Sequence, residues 1–306
     1  MRSSYFRVSV TSRCNFNCYY CHNEGQSGDE ISPLSADDIV WAVGIAASLG
    51  FSKIKLTGGE PTLRPDLPRI VSGIRALGID DLSMITNGSA LPGSIQKLRE
   101  AGLPRINISL YTLDPEKFEI SQGVRRGLLD RSILGVDAAL AAGYRDMKLN
   151  YVMESKDFLS DLLSVMAFAN ARNLTVVVLP LIASLGAKQI ISLRDLNELI
   201  RSLGVIREEI SADEAGIQRS LLTLESGSRV LLRLNELGNI GPFAACEKCA
   251  YSSECQEGIF PMRLSDAGVL SPCLANPTLR RNIRESICSR DGVGVARMIQ
   301  EMVVDP

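Results

Sequence analysis

The chain has 306 residues, 45% of them hydrophobic and 22% charged, with a formal net charge of −2. That balance is ordinary for a soluble globular chain able to bury its own core, and without a basic block it excludes a long nucleic-acid track. No apolar run reaches membrane-spanning length, and Met1 to Tyr5 lead straight into a strand-like stretch with no room for a signal peptide, so no membrane partner is expected. The eight cysteines fall in two groups instead of being spread as a disulfide frame, which fits a cytoplasmic, reducing compartment.

Tyr5 to Val10 is short and β-rich, and a cysteine loop follows it directly. Residues 35 to 49 read as a helix capped by Ser35, with Ile39, Val40, Val43, Ile45 and Ala46 on one apolar stripe. Lys53 to Thr57 is a second strand ending in Gly58-Gly59-Glu60. Residues 66 to 77 are helical up to Gly78, and Leu82 to Thr86 is a third strand ending at Asn87-Gly88. Ser94 to Ala101 is helical and Arg105 to Leu110 a fourth strand. Asp114-Pro115-Glu116 starts a long, mostly helical stretch to Ala142, stopped by Gly143. Asp146 to Val152 is a fifth strand, Phe158 to Ala171 a helix, and Leu174 to Leu179 a sixth strand.

Strands alternating with helices in this way predict a parallel α/β sheet. Six units are fewer than a closed barrel needs, so a partial (β/α)6 TIM-type barrel is expected, with doubly wound packing as the alternative on pattern alone. Polar groups stand at four strand ends, the edge where parallel barrels assemble their chemistry. After residue 183 the pattern changes. Leu193 to Leu203 is a helix, Gln218 to Leu224 and Arg229 to Asn235 form a hairpin, Met262 to Leu264 and Val269 to Ser271 another, and Val293 to Val303 a surface helix. The expected division is a barrel over 1–190 and a small C-terminal iron–sulfur domain over 191–306.

Cys14, Cys18 and Cys21 are spaced C-x3-C-x2-C. Thiolates are the usual ligands of a four-iron cluster, and three of them leave one iron open for a substrate or cofactor. Zinc sites more often pair two C-x2-C halves or add histidines, and this chain has one histidine.

With Arg7 to Arg13 ahead of these cysteines and Lys55-Leu56-Thr57-Gly58-Gly59-Glu60-Pro61 after them, the chain resembles the radical S-adenosylmethionine (SAM) superfamily. Within it, Arg105 to Phe118 and Met147 to Asn150 are most similar to the GTP cyclase branch of molybdopterin biosynthesis. The resemblance implies a [4Fe-4S] cluster on Cys14, Cys18 and Cys21, with SAM chelating the open iron. It implies SAM contacts from Gly58, Gly59 and Glu60, from Tyr20 beside the adenine, and from Ser109. It also implies that Arg7, Lys55, Thr86 and Lys148 face the substrate, and that an external one-electron reductant such as ferredoxin or flavodoxin is a partner. His22 either touches the cluster or substrate or fills the loop.

The chain departs from the cyclase branch in three places. Tyr111 stands where the branch carries aspartate, Val176 to Ile182 lacks its Arg-Phe-Ile-Glu-like pattern, and the end at Pro306 has no glycine-rich tail. A second cysteine set, Cys246, Cys249, Cys255 and Cys273, has enough thiolates for a complete auxiliary [4Fe-4S] cluster or for a structural zinc. Its opening resembles the auxiliary-cluster domains of peptide-modifying and alcohol-oxidising radical SAM enzymes. Cys288 reads as a buried or spare thiol. The expected activity is hydrogen abstraction from a small polar, nucleotide- or sugar-derived substrate by a 5′-deoxyadenosyl radical. GTP cyclisation, peptide modification and, outside enzymes, an iron–sulfur carrier are the alternatives. No leader-binding module precedes the barrel, which weighs against peptide modification.

Overall fold

The computed structural model describes residues 5–23, 32–181, 191–213, 217–235, 261–274 and 276–304. Six strands lie side by side in parallel, in chain order: β1 (Tyr5–Ser9), β2 (Lys53–Thr57), β3 (Asp81–Thr86), β4 (Arg105–Ser109), β5 (Lys148–Met153) and β6 (Thr175–Pro180). The crossovers carry α1 (Ala36–Ser48), α2 (Leu67–Ala76), α3 (Ile95–Glu100), α4 (Pro115–Gln122) with α5 (Leu128–Ala141), and α6 (Leu159–Asn170). Strand residues such as Val8, Ile54, Leu56, Met84 and Ile106 alternate onto the helical side and form one core with Ile39, Val43, Ile70 and Ile74. The intervening Arg7, Lys55, Asn107, Ser109 and Asn150 face the concave side. This is the partial barrel that the sequence predicts.

Local signals account for most boundaries. Ser35 accepts from the Asp38 amide at 3.1 Å while the Asp38 carboxylate accepts from the Ser35 amide at 3.1 Å, a reciprocal cap on α1. The long helical stretch expected from Asp114 to Ala142 is instead two helices. Gly123 leaves α4 in the left-handed region at φ 56°, and Gly127 enters α5 at φ 87°.

The C-terminal part joins the same sheet at both edges. After α7 (Leu193–Arg201), β7 (Val205–Ala212), β8 (Gln218–Leu224) and β9 (Arg229–Arg233) form an antiparallel meander, and β9 pairs in parallel with β6. At the other edge β10 (Pro261–Leu264) pairs in parallel with β1, followed by β11 (Val269–Ser271) and β12 (Arg281–Asn282). Both predicted hairpins are present; β7 was not anticipated. After α8 (Arg284–Cys288), helix α9 (Gly292–Val304) closes the chain and packs on α1 through Val295, Ile299 and Met302. No helix among the described residues is long and apolar enough to cross a membrane.

Candidate active site

Beyond β1 and β2 the two chains continue as a pair. The Val10 amide donates to Thr57 O (2.9 Å), Gly59 to Thr11 O (2.7 Å) and Glu60 to Arg13 O (2.8 Å). The glycines are needed for this approach. A Cβ on Gly59 would lie 2.3 Å from Arg13 O, and one on Gly58, whose φ is 151°, would lie 2.5 Å from Thr11 O. The Gly-Gly turn therefore carries the segment that delivers Cys14.

Glu60 is 1% exposed. Its carboxylate accepts from the Thr62 amide (3.1 Å) and hydroxyl, the Thr86 hydroxyl (2.6 Å) and the Asn87 amide (2.7 Å). Burial nevertheless pushes its pKa above the usual glutamate value, against the pull of those donors. Two further buried groups fix the loop from outside. Arg64 donates to Val10 O (2.6 Å) and Leu34 O (2.9 Å) and pairs with Asp66 (2.7 Å). Asp266, in the turn between β10 and β11, accepts from the Ser12 amide at 2.6 Å.

Cys14, Cys18 and Cys21 line one cavity of about 310 Å³ together with Gly58, Gly59 and Glu60. Cys18 donates to Gln122 Oε1 at 3.0 Å, and Tyr20 donates to the same oxygen at 2.7 Å. Burial, followed by the charge of Cys21, pushes the Cys18 thiol up to about 12, and burial also raises Cys14. Among the described residues no three His, Cys, Asp or Glu side chains gather around a single-ion position. A cubane asks for something else: thiolates on three separate irons. Three cysteines that feel one another's charge at the wall of one cavity fit that donor set.

The remaining predicted residues divide. Arg7, Thr86, Ser109, Tyr20 and His22 line the same cavity. The Thr86 hydroxyl is engaged by Glu60 and accepts from the Gly88 amide (3.0 Å), so it braces the wall. Lys55 and Lys148 face the concave side but are not among the lining residues; Lys55 Nζ lies 5.2 Å from the Tyr5 ring centre. Cys246, Cys249 and Cys255 lie outside the described residues. Cys273 follows β11, half-buried, and its carbonyl accepts from the Ser271 hydroxyl at 2.6 Å. Cys288 is exposed, so it is a spare thiol and not a buried one.

The far wall is aromatic. Tyr111 packs edge-on against Tyr20, ring centres 4.9 Å apart, and both also line a second cavity of about 350 Å³ with Tyr151, Val152 and Leu181. Burial pushes the Tyr111 phenol up to about 12, so it stays protonated near neutral pH. Several site residues were not singled out from sequence: Gln122, Asn150, Arg233 and Asp266. Arg233 comes from β9, whose docking beside β6 carries no local signature. Asp266 lies in the turn of the second predicted hairpin, which carries no site signature of its own.

Residues 8–169 match the family described as the Radical SAM superfamily. The chain belongs to the radical SAM superfamily. A probable GTP 3′,8-cyclase from Methanococcus aeolicus is 32% identical over 277 residues, covering 88% of this chain and 84% of that one. Another from Sulfolobus acidocaldarius is 45% identical over 151 residues, 49% of this chain and 47% of its own length. The radical SAM chain thus spans about half the length of several curated relatives it matches. Among solved structures, Streptococcus suis SuiB bound to S-adenosylmethionine superposes with a TM-score of 0.65 at 19% identity, covering 92% of this chain and 64% of that one. That likeness supports the partial-barrel fold. Membership makes the chain an enzyme using SAM and a [4Fe-4S] cluster.

Proposed function

We propose that this radical SAM enzyme abstracts hydrogen from a small, polar, nucleotide- or sugar-derived substrate held in the barrel mouth. The observation that carries the reading is the single cavity that brings Cys14, Cys18 and Cys21, the Gly58-Gly59-Glu60 turn, Ser109 and the guanidinium-bearing Arg7 and Arg233 to one space. When bound, the cluster and SAM supply a 5′-deoxyadenosyl radical; the chain's own residues bind, orient and exclude water. Cys14, Cys18 and Cys21 would hold the cluster. Gly58, Gly59 and Glu60 present backbone and a carboxylate to the SAM amino group, Ser109 a hydroxyl, and the Tyr20 ring a flat apolar face to adenine. Arg7 and Arg233 suit an anionic group on the substrate. Residues 1–190 would form the SAM-binding part and 191–306 the part bearing an auxiliary cluster on Cys246, Cys249, Cys255 and Cys273.

A second reading is GTP 3′,8-cyclisation, favoured by the cyclase relatives that match the chain. Tyr111 in place of aspartate and the uncharged β6 weigh against a direct transfer. Anaerobic turnover of reconstituted enzyme with SAM and dithionite, with and without GTP, tests both. Formation of 5′-deoxyadenosine supports the radical reading, and its absence with a fully loaded cluster overturns it. A GTP-dependent rise with a cyclised product by mass spectrometry selects the second reading.

A further inference from the structure

The outer face of the cysteine loop is bordered by one basic segment. The Asn17 amide donates to Gln122 O (2.8 Å) and the Tyr19 amide to Ser121 O (3.3 Å), which ties the loop to the end of α4. A Cβ on Gly123 would lie 2.4 Å from Asn17 O, so the loop and the α4 terminus touch there. The chain then runs through Arg125 and Arg126 into α5. On the loop's other flank Asn15 donates to the Ser89 hydroxyl (2.9 Å), and Arg131 Nε donates to Ser89 O (3.1 Å). Arg125, Arg126 and Arg131 therefore follow the loop from Asn17 round to Asn15, and Arg13 immediately precedes Cys14.

All four guanidinium-bearing residues are exposed. Among the described residues no carboxylate pairs with Arg13, Arg125 or Arg126. From Glu119 to Arg131 the bordering segment carries two acidic residues, Glu119 and Asp130, against three basic ones, Arg125, Arg126 and Arg131. The loop and the end of α4 also expose two large side chains, Ile120 at 81% and Tyr19 at 57%, the Tyr19 hydroxyl donating to the Glu154 carboxylate at the rim of the second cavity. A chain with a net charge of −2 thus places Arg13, Arg125 and Arg126, without carboxylate partners among the described residues, along the loop that carries the exposed Cys14 and Cys21. Large exposed side chains together with basic groups compose a docking patch, whose charge steers an oppositely charged partner.

We propose that this face, with Arg13, Arg125, Arg126, Arg131, Tyr19 and Ile120, docks an acidic one-electron carrier protein. The inference rests on the radical SAM reading, which requires one electron from outside for each cleavage of SAM. Electron transfer falls steeply with distance, so the donor must seat where the thiols come nearest to solvent. With a flavodoxin, the flavin hydroquinone anion gives up one electron and becomes the neutral semiquinone as the cluster is reduced by one, and no proton need cross the interface.

The test uses an acidic flavodoxin and the full chain carrying R125E/R126E, with K97E/R297E on α3 and α9 as the control of equal charge change. Binding of oxidised flavodoxin is measured by titration calorimetry, and 5′-deoxyadenosine formation is driven separately by reduced flavodoxin and by dithionite. The docking face predicts affinity weakened at least tenfold at low ionic strength, an effect that shrinks as salt is raised. It also predicts a flavodoxin-driven rate at least tenfold lower, an unchanged dithionite-driven rate, and a control that behaves as the parent. Unchanged affinity overturns the proposal, as does an equal loss in the control or the absence of parent binding. If the parent binds flavodoxin yet cleaves no SAM with either reductant, the radical reading fails while the binding arm still decides the surface.

Discussion

The two walls of the cavity are built on different physics. On the cysteine side, backbone meets backbone, and buried charged groups finish the joins: Glu60 on Thr86 and Asn87, Arg64 on Val10 and Leu34, Asp266 on Ser12. On the β4–β6 side, the wall is side-chain surface, with Tyr111, Val152 and Leu181, and Tyr151 lies next to Tyr111 at a ring-centre distance of 6.2 Å. The first wall specifies one backbone path, because any buried donor left without its acceptor costs on the order of 1–3 kcal/mol. The second wall can change shape by substitution without disturbing that path. The contrast separates a wall fixed by backbone joins from a wall made of side chains, and Tyr111 stands on the second, packed against Tyr20 of the first.

The contrast is tested hardest at Gly59. In Gly59→Ala the new methyl would sit 2.3 Å from Arg13 O, against backbone and not a movable side chain. Relief requires moving Arg13 O, which accepts from the Glu60 amide at 2.8 Å, at a cost of about 1–3 kcal/mol for overpacking. The expected outcome is a destabilised chain that binds less iron at Cys14, Cys18 and Cys21 and loses SAM cleavage at least a hundredfold. Iron content and 5′-deoxyadenosine yield check it. A variant with parent iron content and parent cleavage would show that the glycine approach does not position the loop.

Much of this wall was legible in the sequence, because its parts are local. The cysteine spacing, the Gly-Gly-Glu turn and the strand ends that carry them need only short-range pattern, and the structure brings the three cysteines, the turn, Tyr20 and Ser109 to one cavity. Where reading failed, the cause was long range or two-sided. The β7 sequence is exposed on both faces, so it has no alternation of burial to detect. The parallel docking of β9 beside β6 and β10 beside β1 uses backbone hydrogen bonds that any sequence can supply, which is why Arg233 and Asp266 were missed as site residues. The break between α4 and α5 had a signal, the two glycines at 123 and 127, but helical periodicity on either side masked it.

Asp266 gives a smaller effect that reads the same wall from its C-terminal side. In Asp266→Ala the Ser12 amide loses its acceptor two residues before Cys14. The expected loss is about 1–3 kcal/mol of stability, with SAM affinity reduced several-fold and the maximal rate at saturating SAM changed less. Thermal unfolding and SAM titration of the reconstituted enzyme check it. If Asp266→Ala left SAM affinity at the parent value, the turn between β10 and β11 would be a fold contact without influence on the loop.

The smallest effect is one of acid, and its sign differs between the cavity wall and the outer edge. At that edge Arg201 on α7 pairs with Glu208 on β7 at 2.7 Å, and together with the Ser220 hydroxyl it holds the Glu208 carboxyl down at about 2. A carboxyl lowered on folding contributes stability above its unfolded pKa, near 4.3, and loses it as pH falls toward 2. The side chains are 37% and 28% exposed, so solvent screening limits the contribution to about 0.2–1 kcal/mol. Glu60 runs the other way: burial raises its pKa, so its protonation in acid favours the folded state relative to the ionised form. Lowering the pH from 5 to 3 should therefore loosen β7 on α7 before it loosens the join at Glu60. Amide exchange, corrected for its intrinsic pH dependence, should report lost protection in β7 and retained protection at Asn87. Glu208→Gln should abolish that acid sensitivity at the β7 edge, since the titrating group is gone. If β7 in Glu208→Gln still loosened over the same range, the pH response would have to come from another group on that edge.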